Sequence, residues 1–163
     1  MAIPAGFAQH VSGFLIKLSD QSGPYSFDGT NTPVIVPASA VNTDTAALLT
    51  LVAASVSVSG ADQTNNSARG IKVVIDITAI TGVTPTLTVI IQGKDAASGK
   101  YYNMLTSAGL SAVATTTLEI YPAITTTGNV SSGVSLPRTW RVQAVISGTT
   151  PAVTATVGAS LNI

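Results

Sequence analysis

The chain has 163 residues, with seven basic and seven acidic side chains and no cysteine. A chain of this length can bury a core as one domain, and the lack of cysteine excludes disulfides, cysteine-ligated zinc, iron–sulfur clusters and thiol catalysis. Charged residues make up 9% of the chain, far below the ~25% typical of soluble proteins, which favours a surface covered by other copies or by a larger assembly.

Residues 1–47 are predicted to form an extended arm. Prolines and glycines interrupt this segment, and all three phenylalanines of the chain, Phe7, Phe14 and Phe27, lie in it. Proline and glycine break regular elements, whereas a disordered tail rarely carries so many large apolar side chains. We therefore expect the arm to lie on its own domain or on a neighbouring subunit, with the phenylalanines as candidate interface residues.

Two short elements are candidates within or beside this arm. The segment PVIVP at residues 33–37 suits an edge strand, where proline is tolerated. Residues 37–48 form the one helix candidate, with Asn42 or Thr43 as its cap.

Residues 48–163 are predicted to form an all-β domain, an antiparallel β-sandwich (jelly-roll or Ig-like) of about seven strands. Apolar and polar side chains alternate there with the period of two that marks a half-buried strand. The segments TGVTP at residues 81–85 and GTTP at residues 148–151 are interpreted as turns, the first joining two antiparallel strands. The expected inward-facing sets are Val52, Ala54, Val56 and Val58; Val73, Ile75 and Ile77; Leu87, Val89 and Ile91; Thr116, Leu118 and Ile120; Trp140, Val142, Ala144 and Ile146; and Val153, Ala155 and Val157.

The loop GKDAASGKYY at residues 93–102 is predicted to be a hairpin with a charged tip. It holds Lys94, Asp95 and Lys100, three of the few charges of the chain, and Tyr101 follows them directly. Tyrosine is enriched at protein interfaces. We therefore predict that Lys94, Asp95, Lys100 and Tyr101 contact a neighbouring subunit.

No residue pattern indicates catalysis, a metal or a cofactor. His10 is the single histidine, and zinc sites built on histidine need several ligands. The segment DGTN at residues 28–31 lacks the rest of a calcium loop and is expected to be a turn. Asp76 and Glu119 fall on the polar faces of separate strands, where solvated or ion-paired carboxylates are expected. We conclude that the chain is not an enzyme.

The segment LPRTWRV places an aromatic side chain between two arginines. Trp140 is expected to anchor the core, with Arg138 and Arg141 paired to acids such as Asp76 or Glu119 or to a neighbouring subunit. A net charge of zero without a basic cluster argues against a nucleic-acid partner. No apolar run approaches the ~20 residues of a membrane-spanning helix, and the N-terminus lacks the features of a secretory signal. The protein is expected to be made in the cytoplasm.

Residues 69–163 resemble small, all-β structural proteins of tailed bacteriophages. The segments that carry the resemblance are RGIKVVIDIT, TPTLTVIIQGKD, KYYNML, LEIYP, LPRTWRV and VGASL. The resemblance implies a component of the virion and brings no catalytic residue with it.

Three functions are therefore open, and none is catalytic. The first is a capsid decoration (cement) protein, a homotrimer on the capsid surface that binds the major capsid protein or other virion proteins. The second is a tail, neck or baseplate adaptor. The third is a carbohydrate- or receptor-binding module, which the tyrosines and the charged hairpin favour.

Overall fold

The structure, a computed structural model, describes residues 25–27, 33–35 and 43–163, with side chains from Ala47 onward. The chain divides into two units after Ala40. In the first unit, β1 (Tyr25–Phe27) pairs antiparallel with β2 (Pro33–Ile35). The predicted segment PVIVP thus contains a strand.

The second unit consists of strands and loops, and the all-β class is confirmed. Its strands form one eight-stranded mixed sheet with the order β3-β10-β6-β8-β9, to which β4 and β5 add along β10 and β7 adds along β6. Because β9 runs parallel to β8 whereas the other pairs are antiparallel, the sheet is mixed. The strands are β3 (Thr43–Ala54), β4 (Val58–Ser59), β5 (Gln63–Thr64), β6 (Gly70–Lys94), β7 (Tyr101–Thr106), β8 (Ala114–Ile120), β9 (Ser131–Ser132) and β10 (Thr139–Asn162).

Two long strands, β6 and β10, organise the sheet. They contain 25 and 24 residues and pair antiparallel from Trp140 with Gly93 to Asn162 with Gly70. The prediction that TGVTP and GTTP are turns between separate strands is therefore wrong, because each segment lies inside one continuous strand. The first does not join an antiparallel pair, since both of its flanking runs pair with β10.

The two misassigned segments lie opposite each other, and we call them together the ribbon midpoint (residues 81–85 and 148–151). Gly82 and Gly148 have φ angles of 126° and 119°, and Thr84 and Thr150 have φ angles of 48° and 46°. Each strand thus leaves the ordinary pleat at the same point as its partner, so the pairing continues through the irregularity. The six-residue pattern Ile-Thr/Ser-Gly-x-Thr-Pro, at residues 80–85 and 146–151, is a repeat that places Val83 opposite Thr149.

Most predicted inward faces are confirmed. The side chains of β6, β8 and β10 that alternation assigns to the core are buried, including Ile75 at 0% exposure, Leu118 at 0% and Trp140 at 1%. Thr116 is half-buried. The buried side chains of β6, β8 and β10 belong to one continuous hydrophobic cluster, which also includes Leu105 of β7 and Leu136.

The predicted face of the segment from Leu49 to Ser59 is wrong at Val52 and Val56, whereas Ala54 and Val58 are half-buried against the core as predicted. Leu49 and Leu51 are buried, whereas Val52 is 77% exposed and Val56 is 67% exposed. The pairing of β3 with β10 shifts register between Leu51 and Ala54, and Ala53 has a positive φ angle of 46°. Such a bulge turns the following side chains to the other face. The helix candidate is also wrong where it is described, because β3 begins at Thr43.

Candidate interaction site at the hairpin tip

The predicted charged hairpin is present between β6 and β7. Lys94 pairs with Tyr101, and the Asp95 N–H donates to the Lys100 carbonyl at 2.8 Å. The Asp95 carboxylate accepts hydrogen bonds from the Ser98 hydroxyl at 2.5 Å and the Ser98 N–H at 2.8 Å. These bonds lower the pKa of Asp95, first through the Ser98 hydroxyl. Asp95 therefore stabilises the turn itself, through its Oδ2 atom.

Asp62 joins the hairpin to the loop before β5. One of its oxygens, Oδ2, forms a salt bridge with Lys94 Nζ at 2.7 Å, and the other, Oδ1, accepts a hydrogen bond from the Tyr101 hydroxyl at 2.6 Å. The Lys94 ammonium, followed by the Tyr101 hydroxyl, lowers the pKa of Asp62, and the Asp62 carboxylate raises the pKa of Lys94. The pair is about one-third exposed, at 32% and 34%, so solvent screens much of its attraction.

Arg141 lies on the ring of Tyr101. The guanidinium carbon is 3.4 Å from the ring centroid, the distance of a stacked cation–π contact, while Lys94 Nζ is 5.2 Å from it. Arg141 Nε donates to Gln92 Oε1 at 2.9 Å, and the Gln92 amide donates to Asn103 Oδ1 at 2.9 Å. One connected polar network thus links the three neighbouring strands β10, β6 and β7 with the loop before β5. We call it the tip cluster (Asp62, Gln92, Lys94, Tyr101, Asn103 and Arg141).

The structure brings together two of the predicted interface residues, Lys94 and Tyr101. Lys100 is exposed at the tip, and Asp95 is turned into its own loop. Phe7 and Phe14 lie outside the described residues, and Phe27 is in β1, where the backbone is described. Their role in an interface stays a prediction.

Arg138 and Arg141 form no ion pair with Asp76 or Glu119 among the described residues, and their pairing with a neighbouring subunit stays a prediction. Within the described part of the chain, the salt bridge is the one between Lys94 and Asp62. Asp76 accepts a hydrogen bond from Thr115 Oγ1 at 2.8 Å instead. Trp140 is buried in the core as predicted.

Sequence reasoning missed Asp62, Gln92 and Asn103 as members of the cluster. Alternation places Gln92 and Arg141 on the polar faces of their strands, so their shared surface was accessible to prediction. Asp62 was not, because its position depends on the pairing of Gln63 in β5 with Trp140 in β10.

Two small clefts on the described surface are lined without charged side chains. The larger, of about 300 Å³, lies between β7 and the loop before β9, and the smaller, of about 190 Å³, adjoins Asn65 and Leu161. No group of three or more His, Cys, Asp or Glu side chains positioned to hold a metal occurs among the described residues. Residues 25–27, 33–35 and 43–163 contain no helix long and apolar enough to span a bilayer.

Comparison with known proteins yields no relative. No family model, no curated protein sequence and no solved structure matches the chain.

Proposed function

We propose that the protein is a structural component of a virion, a capsid decoration protein that binds the head lattice as a homotrimer. The observation that carries this proposal is an uncharged, partly apolar surface around the ribbon midpoint. The resemblance of residues 69–163 to phage structural proteins supports it independently.

The uncharged surface consists of the ribbon midpoint and the segments beside it. None of its residues is Asp, Glu, Lys or Arg, although four of its valines are strongly exposed. Monomeric soluble proteins rarely leave contiguous apolar area open, and such area marks a contact with another molecule. The segments are Val52–Val58, Thr78–Thr86, Ala108–Ala114 and Ile146–Ala152, and the exposed valines are Val52 (77%), Val56 (67%), Val83 (63%) and Val113 (62%).

Direct contacts place these segments beside one another. Ser57 Oγ accepts a hydrogen bond from the Ile146 N–H at 3.1 Å, which places the chain after β3 beside β10. On the other side, Leu110 forms a bridge with Leu87, so the loop after β7 lies beside β6. The midpoint between them exposes Val83 opposite Thr149. The described charged side chains lie elsewhere, many of them toward the other strand ends.

We further infer that the sheet folds over into a sandwich whose two layers share β6 and β10. The residues on both sides of the ribbon midpoint belong to one hydrophobic cluster, which supports this arrangement. Gly60 supports it as well, because a methyl group there would lie 3.0 Å from the Leu48 carbonyl oxygen and 3.2 Å from that of Val142. Leu48 belongs to β3 and Val142 to the first half of β10.

Binding to a lattice would act through burial of the uncharged surface. Buried apolar area contributes about 25 cal/mol per Å², from which the cost of association is subtracted. Each contact is then weak, but many copies linked through one shell stabilise it collectively. A surface without charges avoids the desolvation penalty that buried charges would impose.

A tail, neck or baseplate adaptor is the second candidate, since such a protein also needs uncharged contact surfaces. The third candidate, a carbohydrate-binding module, is less favoured. Sugars stack on open aromatic faces, whereas Arg141 covers one face of Tyr101 and Lys94 lies near the ring.

The test is the copy number of this chain in purified virus particles, measured by quantitative gel densitometry. A decoration protein is expected in a number that matches the head lattice, and its trimer should be visible as the mass of the purified protein in solution. A number matching the symmetry of the tail would support the adaptor instead. Absence of the chain from the particles would contradict both.

A further inference from the structure

We propose that Arg141 receives a carboxylate side chain of an acidic protein partner, with the tip cluster as its docking site. The inference rests on the proposed function, because the partner is then a neighbouring protein of the same assembly. It adds the chemistry of the contact, a carboxylate of the partner, and the residue that binds this carboxylate, Arg141.

The guanidinium of Arg141 is held in a fixed orientation by two uncharged groups, while the nearby Asp62 carboxylate interacts with its charge without a hydrogen bond to it. Its plane is stacked on Tyr101 at 3.4 Å, and its Nε is bonded to Gln92. Gln92 is buried to 8% exposure and is itself held by Asn103. Neither interaction uses the two terminal nitrogens. These nitrogens form the edge that binds a carboxylate in bidentate fashion.

The nearby carboxylates are already used within the chain. Both oxygens of Asp62 are occupied, one by Lys94 and the other by Tyr101. Asp95 is bonded to Ser98. Lys100 adds a further exposed positive charge next to Tyr101. The surface around Tyr101 therefore carries three cations, Lys94, Lys100 and Arg141, against the two carboxylates of Asp62 and Asp95, and this excess of positive charge complements an acidic surface.

A protein carboxylate fits this site better than other anions or ligands do. Nucleic-acid sites need several cations along a phosphate backbone, and this chain has a net charge of zero. Arg141 also covers one of the two faces of the Tyr101 ring on which a sugar could stack. A single, oriented guanidinium beside a tyrosine is instead typical of the centre of a protein interface, where Arg and Tyr are enriched.

The test is an NMR titration of the full-length protein with an acetylated and amidated triglutamate peptide at low salt. The Arg141 Nε–H resonance is expected to shift with triglutamate and to stay in place with the matched triglutamine peptide. R141Q should weaken binding about tenfold or more, since a charge-assisted hydrogen bond is lost. R141K should fall between, because it keeps the charge and loses the fork. R138Q, which removes an exposed arginine three residues away, should bind as the wild type does.

The absence of an Arg141 shift with triglutamate would overturn the proposal. An equal shift with triglutamine would do the same, as would a shift with inorganic phosphate but not with triglutamate. Incorporation of R141Q into particles separates the two proposals. A normal copy number of R141Q overturns the docking role of Arg141 and leaves the virion function standing, whereas absence of the wild-type chain from particles overturns the virion function.

Discussion

The ring of Tyr102 lies directly over Gly93 across the β6–β7 pair. A methyl group on Gly93 would come within 2.4 Å of Tyr102 Cζ and 2.5 Å of its hydroxyl oxygen. Glycine leaves a gap in a strand, and the aromatic ring of the partner residue fills it. This contact fixes the start of the hairpin that carries the tip cluster, because Lys94 and Tyr101 are the next pair.

Gly93→Ala is expected to destabilise the protein by about 1 kcal/mol or less, because the methyl group meets the far end of the exposed Tyr102 side chain, which can move aside. The free energy of unfolding, from urea denaturation, measures the loss. The double variant with Tyr102→Ala should lose less than the sum of the two single variants, since the clash disappears with the ring. Additive losses would mean that the Tyr102 ring does not constrain position 93.

Gly82→Ala and Gly148→Ala are each expected to destabilise the protein by about 1–3 kcal/mol, the cost of a strained backbone position. Both residues have φ angles that L side chains rarely adopt, and a methyl group on either would lie 2.8 Å from the carbonyl oxygen of Thr150 or Thr84. Gly128→Ala is the matched control, because a methyl group there meets nothing within 4 Å. If all three variants unfold at the same urea concentration, the stability of the fold does not require glycine at positions 82 and 148.

Leu51→Ala and Val52→Ala separate the two possible faces of β3. Leu51 is 2% exposed and Val52 is 77% exposed. The first change should cost about 2–5 kcal/mol through the cavity that it leaves, and the second should stay within about 0.5 kcal/mol. Thermal and urea unfolding of the two variants check this. A larger loss of stability in Val52→Ala than in Leu51→Ala would show that Val52 faces the core, as the sequence pattern predicts.

The contrast between β6 and β3 shows what alternation in the sequence can predict. Side chains such as Ile75 and Leu87 were placed correctly because each depends on the local pleat alone. Val52 was misplaced because the alternation that places Ala54 inward was applied on both sides of the bulge between Leu51 and Ala54, and a bulge depends on the partner strand. The continuity of β6 and β10 was missed for a related reason. Glycine and proline favour a turn locally. Here both strands continue, because β6 at Gly82 and β10 at Gly148 leave the regular pleat in the same part of their pairing.

The candidate site was predictable to a similar degree. Lys94 and Tyr101 follow from the hairpin, since residues that flank a short loop must face each other. Arg141 and Asp62 come to the same place through pairing between strands that are distant in sequence. Trp140 of β10, next to Arg141, pairs with Gly93 of β6, and Gln63 of β5, next to Asp62, pairs with Trp140. Such long-range pairing has no local signature, so their contact with Tyr101 required the structure.

Trp140→Phe is expected to be much less damaging than Trp140→Ala. The indole is 1% exposed, and its Nε1 has no hydrogen-bond partner within the described structure. Truncation to alanine should cost about 3–5 kcal/mol. Phenylalanine keeps most of the apolar contact and removes an unpaired buried donor, which itself costs about 1–3 kcal/mol. Urea denaturation followed by circular dichroism compares the variants, and equal losses would show that the indole N–H is satisfied.

The ion pair of Asp62 with Lys94 should make part of the stability depend on pH. Lys94 and then Tyr101 lower the pKa of Asp62 below its ordinary value in the folded protein. A carboxylate with a lowered pKa stabilises the fold above its unfolded pKa, near 3.9, and this contribution is lost as the pH falls through the folded pKa. Wild type should therefore exceed Asp62→Asn in stability at pH 7, and the difference should shrink below about pH 4.

Lys94→Met provides the control for this dependence, since it removes the main cause of the lowered pKa. In that background, Asp62→Asn should change stability less, and the change should vary less with pH. High salt should also reduce the wild-type difference, because the pair is partly exposed and solvent ions screen it. Urea midpoints at pH 7 and pH 3, measured in both backgrounds and at low and high salt, test these expectations. A difference between wild type and Asp62→Asn that is the same at both pH values would show that the carboxylate charge does not stabilise the tip cluster.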